Sequence, residues 1–315
     1  MTYAGRIGFA FVPQQSDQAV DLIERAERAG VDTVWTVMSA LGLDTLTLFA
    51  AAAMRTERIR FGTAIVPAFT RHPLGLATQA AALEGLAPGR LRLGVGTAHA
   101  RTMVDVYHLD FRRPLRRLRE YVEILRPLLH EGEVHAHGEW YSADATIPNP
   151  PGTPVLVSAL RAPAFRLAGE LSDGALTWLC PPAYLRRVAP PALEDGARQA
   201  GRVRPPLIAH LPVVMTPDRD RAYEAAKHQL AYYAAAPFYA RMFADAGHPL
   251  DAEGRITDGL LDELLVYGTP EQVSVGLRER LDGGMDEIYP ALLSLDDQRA
   301  EEDALLAVLG DLARA

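Results

Sequence analysis

Lysine is almost absent from this chain: of 32 basic residues only Lys227 is a lysine, and the arginines never gather into a long run. With a formal net charge of −8, no stretch presents the basic track that a phosphate backbone requires, so nucleic acid is excluded as an expected partner. The arginine bias reads as codon usage and carries no functional weight. Cysteine is equally scarce. Cys180 stands alone, which excludes an intrachain disulfide, fits a reducing compartment and reads as a buried, inert thiol. No apolar stretch approaches the ~20 residues needed to span a bilayer. The start, Met1-Thr2-Tyr3-Ala4-Gly5-Arg6, runs straight into an apolar strand without a charged leader, so a soluble, cytoplasmic protein with no membrane partner is expected.

Apolar runs of strand length are present instead, separated by helical segments, and that alternation points to a parallel α/β sheet. Eight can be counted: Arg6–Phe11, Thr33–Val37, Ile59–Val66, Leu91–Gly96, Val155–Leu160, Ala175–Leu179, Leu207–Met215 and Glu287–Leu292. Most are too uniformly apolar for a sheet with one wet face. Pro73, Pro114, Pro163, Pro182, Pro217 and Pro270 stand where helices would take their first residue, and Gly30, Gly132, Gly201 and Gly283-Gly284 follow amphipathic stretches as C-caps. One turn recurs, Ala29-Gly30-Val31-Asp32-Thr33-Val34-Trp35 and Gly283-Gly284-Met285-Asp286-Glu287-Ile288-Tyr289, with a looser copy at Ser172–Trp178. Eight strands with intervening helices satisfy a (β/α)₈ TIM barrel in one domain over residues 1–315, whereas a doubly wound sheet leaves two runs unassigned. Two connections exceed a bare βα unit. Glu133–Pro154 follows the fourth helix, and Arg219–Tyr267, after the seventh strand, either covers the barrel mouth or carries an oligomer contact, a homodimer being expected in the second case.

Barrel chemistry belongs at the C-terminal ends of the strands. The fourth strand ends Gly94-Val95-Gly96-Thr97-Ala98-His99, where two glycines would admit a flat or phosphorylated ligand to the backbone, or simply make a tight turn. His99 would project into the mouth as a proton donor, or be a structural histidine. Ser158-Ala159-Leu160-Arg161-Ala162-Pro163 opens a helix whose N-terminus suits a phosphate. His135-Ala136-His137 with Glu133 and Glu139 has the alternation of a metal site, but a solvated hairpin explains it and no metal is expected. Tyr232-Tyr233 and Phe238-Tyr239 read as helix packing rather than a ligand cage.

Arg58–Val66, Arg71-His72-Pro73 and Pro88–Gly96, together with the Gly30–Trp35 turn, Val155–Trp178 and Gly268-Thr269-Pro270-Glu271, resemble the bacterial-luciferase-like superfamily, in particular its actinobacterial coenzyme F420-dependent oxidoreductases. The resemblance implies a barrel with insertions and a non-prolyl cis peptide at the end of the third strand, by position Ala64–Ile65, bulging against the cofactor ring. It implies cofactor contacts at Ala64, Ile65, Thr97, Thr102, Ser158, Ala159, Leu160 and Trp178. Substrate contacts are expected at Trp35, Phe69 and Tyr289, a mouth suited to an apolar or aromatic metabolite more than to a sugar phosphate. His99 stands where sugar-phosphate dehydrogenase relatives carry a catalytic glutamate, while the common Asp-His pair after the second strand is replaced by Met38-Ser39. Without that histidine base, reduction suits the chain better than alcohol oxidation: reduced F420 gives a hydride to an activated C=C, C=N or C=O bond of a small molecule, and His99 supplies the proton. The alternatives are a monooxygenase using reduced FMN and a non-catalytic flavin-binding protein.

Overall fold

Among the described residues, 3–39 and 41–315, the computed structural model shows eight parallel strands that close on themselves. Met1 and Thr2 of the opening segment lie outside that description. The strands are Gly8–Phe11, Thr33–Thr36, Arg60–Thr63 with its continuation Val66–Pro67, Leu91–Gly96, Val155–Ser158, Ala175–Thr177, Leu207–Val214 and Glu287–Leu292. Each of the eight expected runs supplies one strand, and the eighth returns to the first with Ala291 beside Ala10. Outside them lie helices Ser16–Ala29, Thr45–Ala53, Pro73–Leu86, Pro114–His130, Ala162–Leu171, Pro182–Gln199, Pro270–Asp282 and Gln298–Arg314. None of the helices is long and apolar enough to cross a membrane among the described residues.

Five of the six expected prolines sit in a first helical turn, where a missing N–H costs nothing. Pro217 differs. It precedes Asp218, whose carboxylate caps helix Arg219–Ala234 by accepting from the Arg221 N–H, so the proline lies outside the helix. Gly30 takes φ 94° as the C-cap of the first helix, the conformation for which glycine was expected there.

The recurring turn has a physical function. Asp32 accepts from the N–H groups of Gly5 and Ile7, Asp286 from that of Leu207, and Asp173, placed two residues earlier in the looser copy, from that of Val155. Each carboxylate thus ties the first residues of the neighbouring strand at the closed end of the barrel.

Trp35 fills the barrel axis, 1% exposed. Its ring leaves no room beside it: a Cβ on Gly8 would lie 2.6 Å from Nε1, and one on Gly62, its register partner, 2.2 Å from Cε3. Below the indole, Arg92 makes a two-pronged ion pair with Glu287 at 2.5 and 2.9 Å. The expected substrate residue Trp35 is therefore a core plug between that pair and the mouth.

Both long connections form extra structure. The first is an antiparallel hairpin, Glu133–His137 with Ser142–Thr146, in which His135 lies 2.9 Å from Glu133 and 2.8 Å from Asp144 on the exposed surface. The second contains helices Arg219–Ala234, Pro237–Asp245 and Asp258–Leu264 and a short strand, Val266–Tyr267, beside the seventh.

Candidate active site

The C-terminal ends of the strands open into a cavity of about 650 Å³, a volume suited to a cofactor-sized ligand. Its floor is laid by Leu176, Thr177 and Tyr289, the last donating its hydroxyl to the Thr177 carbonyl. Ala64 and Ile65 form one wall, and the peptide between them is cis, as the resemblance implied. Trp178 forms another, its ring stacked 3.6 Å from that of His210.

The two glycines of the fourth strand answer to the barrel itself. A Cβ on Gly94 would lie 2.0 Å from the Thr63 carbonyl, and one on Gly96 2.2 Å from Ser158 Oγ and 3.0 Å from Ile65 Cγ1. Gly96 thereby lets the Ser158 hydroxyl and the Ala64–Ile65 bulge meet at one spot of the cavity. Beyond it, Ala98 at φ 55° turns the chain before His99, and Leu179 at φ 52° follows Trp178. Non-glycine residues rarely occupy that region, and here both flank side chains that line the cavity. Thr102 then opens a π-helical turn, Thr102–Val106.

Helix Ala162–Leu171 points its N-terminus at the cavity with fewer donors than expected. Pro163 has none, and the Ala164 and Phe165 N–H groups bond to the Arg161 carbonyl, leaving the Ala162 N–H in that turn. The Arg161 guanidinium is held 2.9 Å from Asp245.

His99 is enclosed by rings from the insertion after the seventh strand. Its centroid lies 5.0 Å from that of Tyr232, 5.9 Å from Tyr233, 5.3 Å from Phe238 and 5.9 Å from Tyr239. Burial among them disfavours the imidazolium and holds the His99 pKa below the usual histidine value. These four aromatics, expected to be helix packing, line the cavity. Two aromatic pairs separated by the Ala234-Ala235-Ala236-Pro237 break were the available signal.

Of the expected contacts, Ala64, Ile65, Thr97, His99, Thr102, Ser158, Leu160, Trp178 and Tyr289 line this cavity. Three do not. Ala159 turns into the core between strands and helices, Trp35 lies beneath the floor, and Phe69 is buried behind the wall with the Arg117 guanidinium 4.4 Å from its ring. Met38 and Ser39 are on the lining, and Cys180 is buried, its thiol pKa raised by desolvation.

A family model described as luciferase-like monooxygenase matches residues 4–287. The chain belongs to that family. Among relatives of this luciferase-like protein, an F420-dependent glucose-6-phosphate dehydrogenase of Intrasporangium calvum is 29% identical over 297 residues, 86% of this chain and 87% of the relative. A solved F420-dependent secondary alcohol dehydrogenase, in complex with an F420-acetone adduct, superposes with a TM-score of 0.82 at 20% identity, covering 99% of this chain and 100% of that one. The oxygenating constituent of 3,6-diketocamphane monooxygenase of Pseudomonas putida, in complex with FMN, superposes at 0.75 with 18% identity, covering 98% and 97%. Both likenesses show the luciferase-like fold.

Proposed function

We propose that this chain binds coenzyme F420 and, with the coenzyme reduced, transfers a hydride to an activated C=C, C=N or C=O bond of an uncharged small molecule. The observation that carries the reading is the cavity itself: an apolar slot between the Ala64–Ile65 bulge and Trp178, with His99 as the one imidazole on its lining among the described residues. The F420-dependent relatives support the choice of coenzyme.

The residues present fit a flat ring with a phosphate tail. Gly96 makes room for Ser158 Oγ at the cavity wall, and Thr97 adds hydrogen-bonding capacity on the lining. The bound coenzyme would supply the hydride; the protein orients, excludes water and handles the proton. Ile65 and Trp178 confine the ring, and Tyr289 is held in place by its bond to the Thr177 carbonyl. His99, protonated from solvent and enclosed by four aromatic rings, delivers its proton to the substrate atom that becomes basic on reduction.

Apo-protein titrated with F420 and with FMN, read by ligand fluorescence, tests the coenzyme. F420 is expected to bind more tightly. A tenfold preference for FMN, about 1.4 kcal/mol, would transfer the reading to the monooxygenase alternative.

A further inference from the structure

A second cleft, of about 700 Å³, lies beside the first and shares Val12, Trp178 and Tyr233 with it. It runs from the loop after the first strand and the start of the last helix down to His210. Its chemistry differs from that of its neighbour. Five of its lining residues are glutamines, Gln14, Gln15, Gln18, Gln229 and Gln298. Four are pinned by one bond each: Gln229 Nε2 donates to the Ser294 carbonyl, Gln298 Nε2 to Glu302, and Gln18 Nε2 to Gln15 Oε1. A side-chain amide has two donors and two lone pairs, so each pinned glutamine keeps most of its capacity and presents it in a fixed direction.

At the bottom, His210 is 2% exposed. Its Nδ1 accepts a long bond, 3.5 Å, from the Leu179 N–H, which puts the proton of the neutral ring on Nε2. That Nε2 is buried without a partner. An unpaired buried donor is costly, and a ligand oxygen reaching the floor of the cleft would satisfy it. Desolvation keeps His210 neutral, its pKa pushed down to about 3.

Positive charge is cancelled. Arg25 is bound by Asp21, Glu302 and Asp303, and Arg299 by Asp21 and Asp303, three carboxylates against two guanidinium groups. A phosphate entering here would meet no free cation among the described residues.

We infer that the second cleft receives the polar, uncharged part of the substrate, a ring bearing several hydroxyl or carbonyl groups, with His210 Nε2–H as its deepest hydrogen-bond donor and Trp178 as the wall it packs against. The assignment rests on the proposed reductase reading, since the cleft meets the cavity that would hold the coenzyme along Val12, Trp178 and Tyr233, and the reducible bond of the same ligand would lie on the cavity side of that seam.

Binding to the coenzyme-free protein is the test, so that failure of the F420 titration and failure of this inference are separate results. Methyl β-glucoside and N-acetylglucosamine serve as uncharged probes and glucose 6-phosphate as the charged counterpart, each followed by saturation-transfer NMR and titration calorimetry. Millimolar binding of at least one uncharged probe is expected, with glucose 6-phosphate no tighter. The Gln229→Leu/Gln298→Leu double variant, altered only at exposed positions, should weaken the uncharged probe at least fivefold, and His210→Phe should do the same if it folds. Tighter binding of glucose 6-phosphate, no binding of either uncharged probe, or binding indifferent to the double variant would each overturn the inference.

Discussion

Replacing Asp173 with asparagine should destabilise the barrel by roughly 2 kcal/mol at neutral pH while leaving the site's chemistry untouched. Asp173 is largely buried at the closed end. It lies 2.9 Å from Arg126, 3.3 Å from His130 and 3.3 Å from Arg202, and accepts from the Val155 N–H at 2.9 Å. Burial alone would raise its pKa; the hydrogen bonds from His130, Arg126 and the Val155 amide outweigh that and hold it at about 2, below an ordinary value of 3.8. A pKa depressed on folding contributes stability that is complete above the unfolded value and is lost as pH falls through the folded one. A difference near 1.8 units is worth about 2.4 kcal/mol, and about half of it survives at pH 3. Asparagine keeps the shape and loses the charge. Urea unfolding of both proteins at pH 7 and pH 3 measures the effect: the gap between them should be roughly 2 kcal/mol at pH 7 and shrink by about half at pH 3. A gap that stays constant, or grows as the pH falls, would refute the assignment of the stabilisation to the ionised carboxylate.

His99→Ala should lower kcat by ~10²-fold or more with F420 affinity little changed, and His99→Asn should not rescue it, since an amide cannot shuttle a proton. Because burial lowers the His99 pKa, reductive turnover should decline with rising pH through a midpoint below 6.5, and a midpoint above that value would contradict the aromatic enclosure. Gly62→Ala places a methyl group 2.2 Å from the Trp35 ring and should cost ~1–3 kcal/mol in thermal or urea unfolding, or prevent folding, with Trp35→Phe in the same chain recovering part of the loss. Tyr239→Leu opens one side of the box around His99 and should raise the midpoint of the pH profile towards 6.5.

The barrel was legible because its signals are local. Uniform apolar runs, prolines at helix starts and the Gly30 cap each follow from backbone chemistry within a few residues. The strand-end positions Thr97, His99, Ser158 and Trp178 followed from that periodicity. What stayed hidden depends on contacts between distant elements. Trp35 looks like a mouth residue in sequence, and only the glycines on both neighbouring strands show that its ring lies along the axis. Phe69 turns away because Arg117, from the fourth helix, supplies a guanidinium against its ring. His210 sits in mid-strand, where a strand-end filter does not look, although a single imidazole in the run Leu207–Val214 was a visible irregularity. The aromatic pairs at 232–233 and 238–239 have the spacing of packed helices, and they do pack; what they pack around is His99, more than 130 residues earlier.

That enclosure bears on the order of events in the proposed reaction. A histidine held below its ordinary pKa is neutral through most of the physiological range, and a neutral imidazole is a poor acid. For His99 to give a proton it must first take one, and the route is from its exposed side: Tyr232, the outermost of the four rings, is 53% exposed, whereas Tyr239 is 5% exposed. Substrate filling the cavity removes the remaining water and lowers the dielectric further, which would make protonation harder after binding than before it. Protonation of His99 therefore belongs ahead of substrate binding. The consequence is a pH dependence of kcat/KM, which reports the free enzyme, that follows His99, and a kcat that follows the same group with its midpoint displaced to lower pH. Equal midpoints in both parameters would show that substrate does not desolvate His99 further and would refute this order of events.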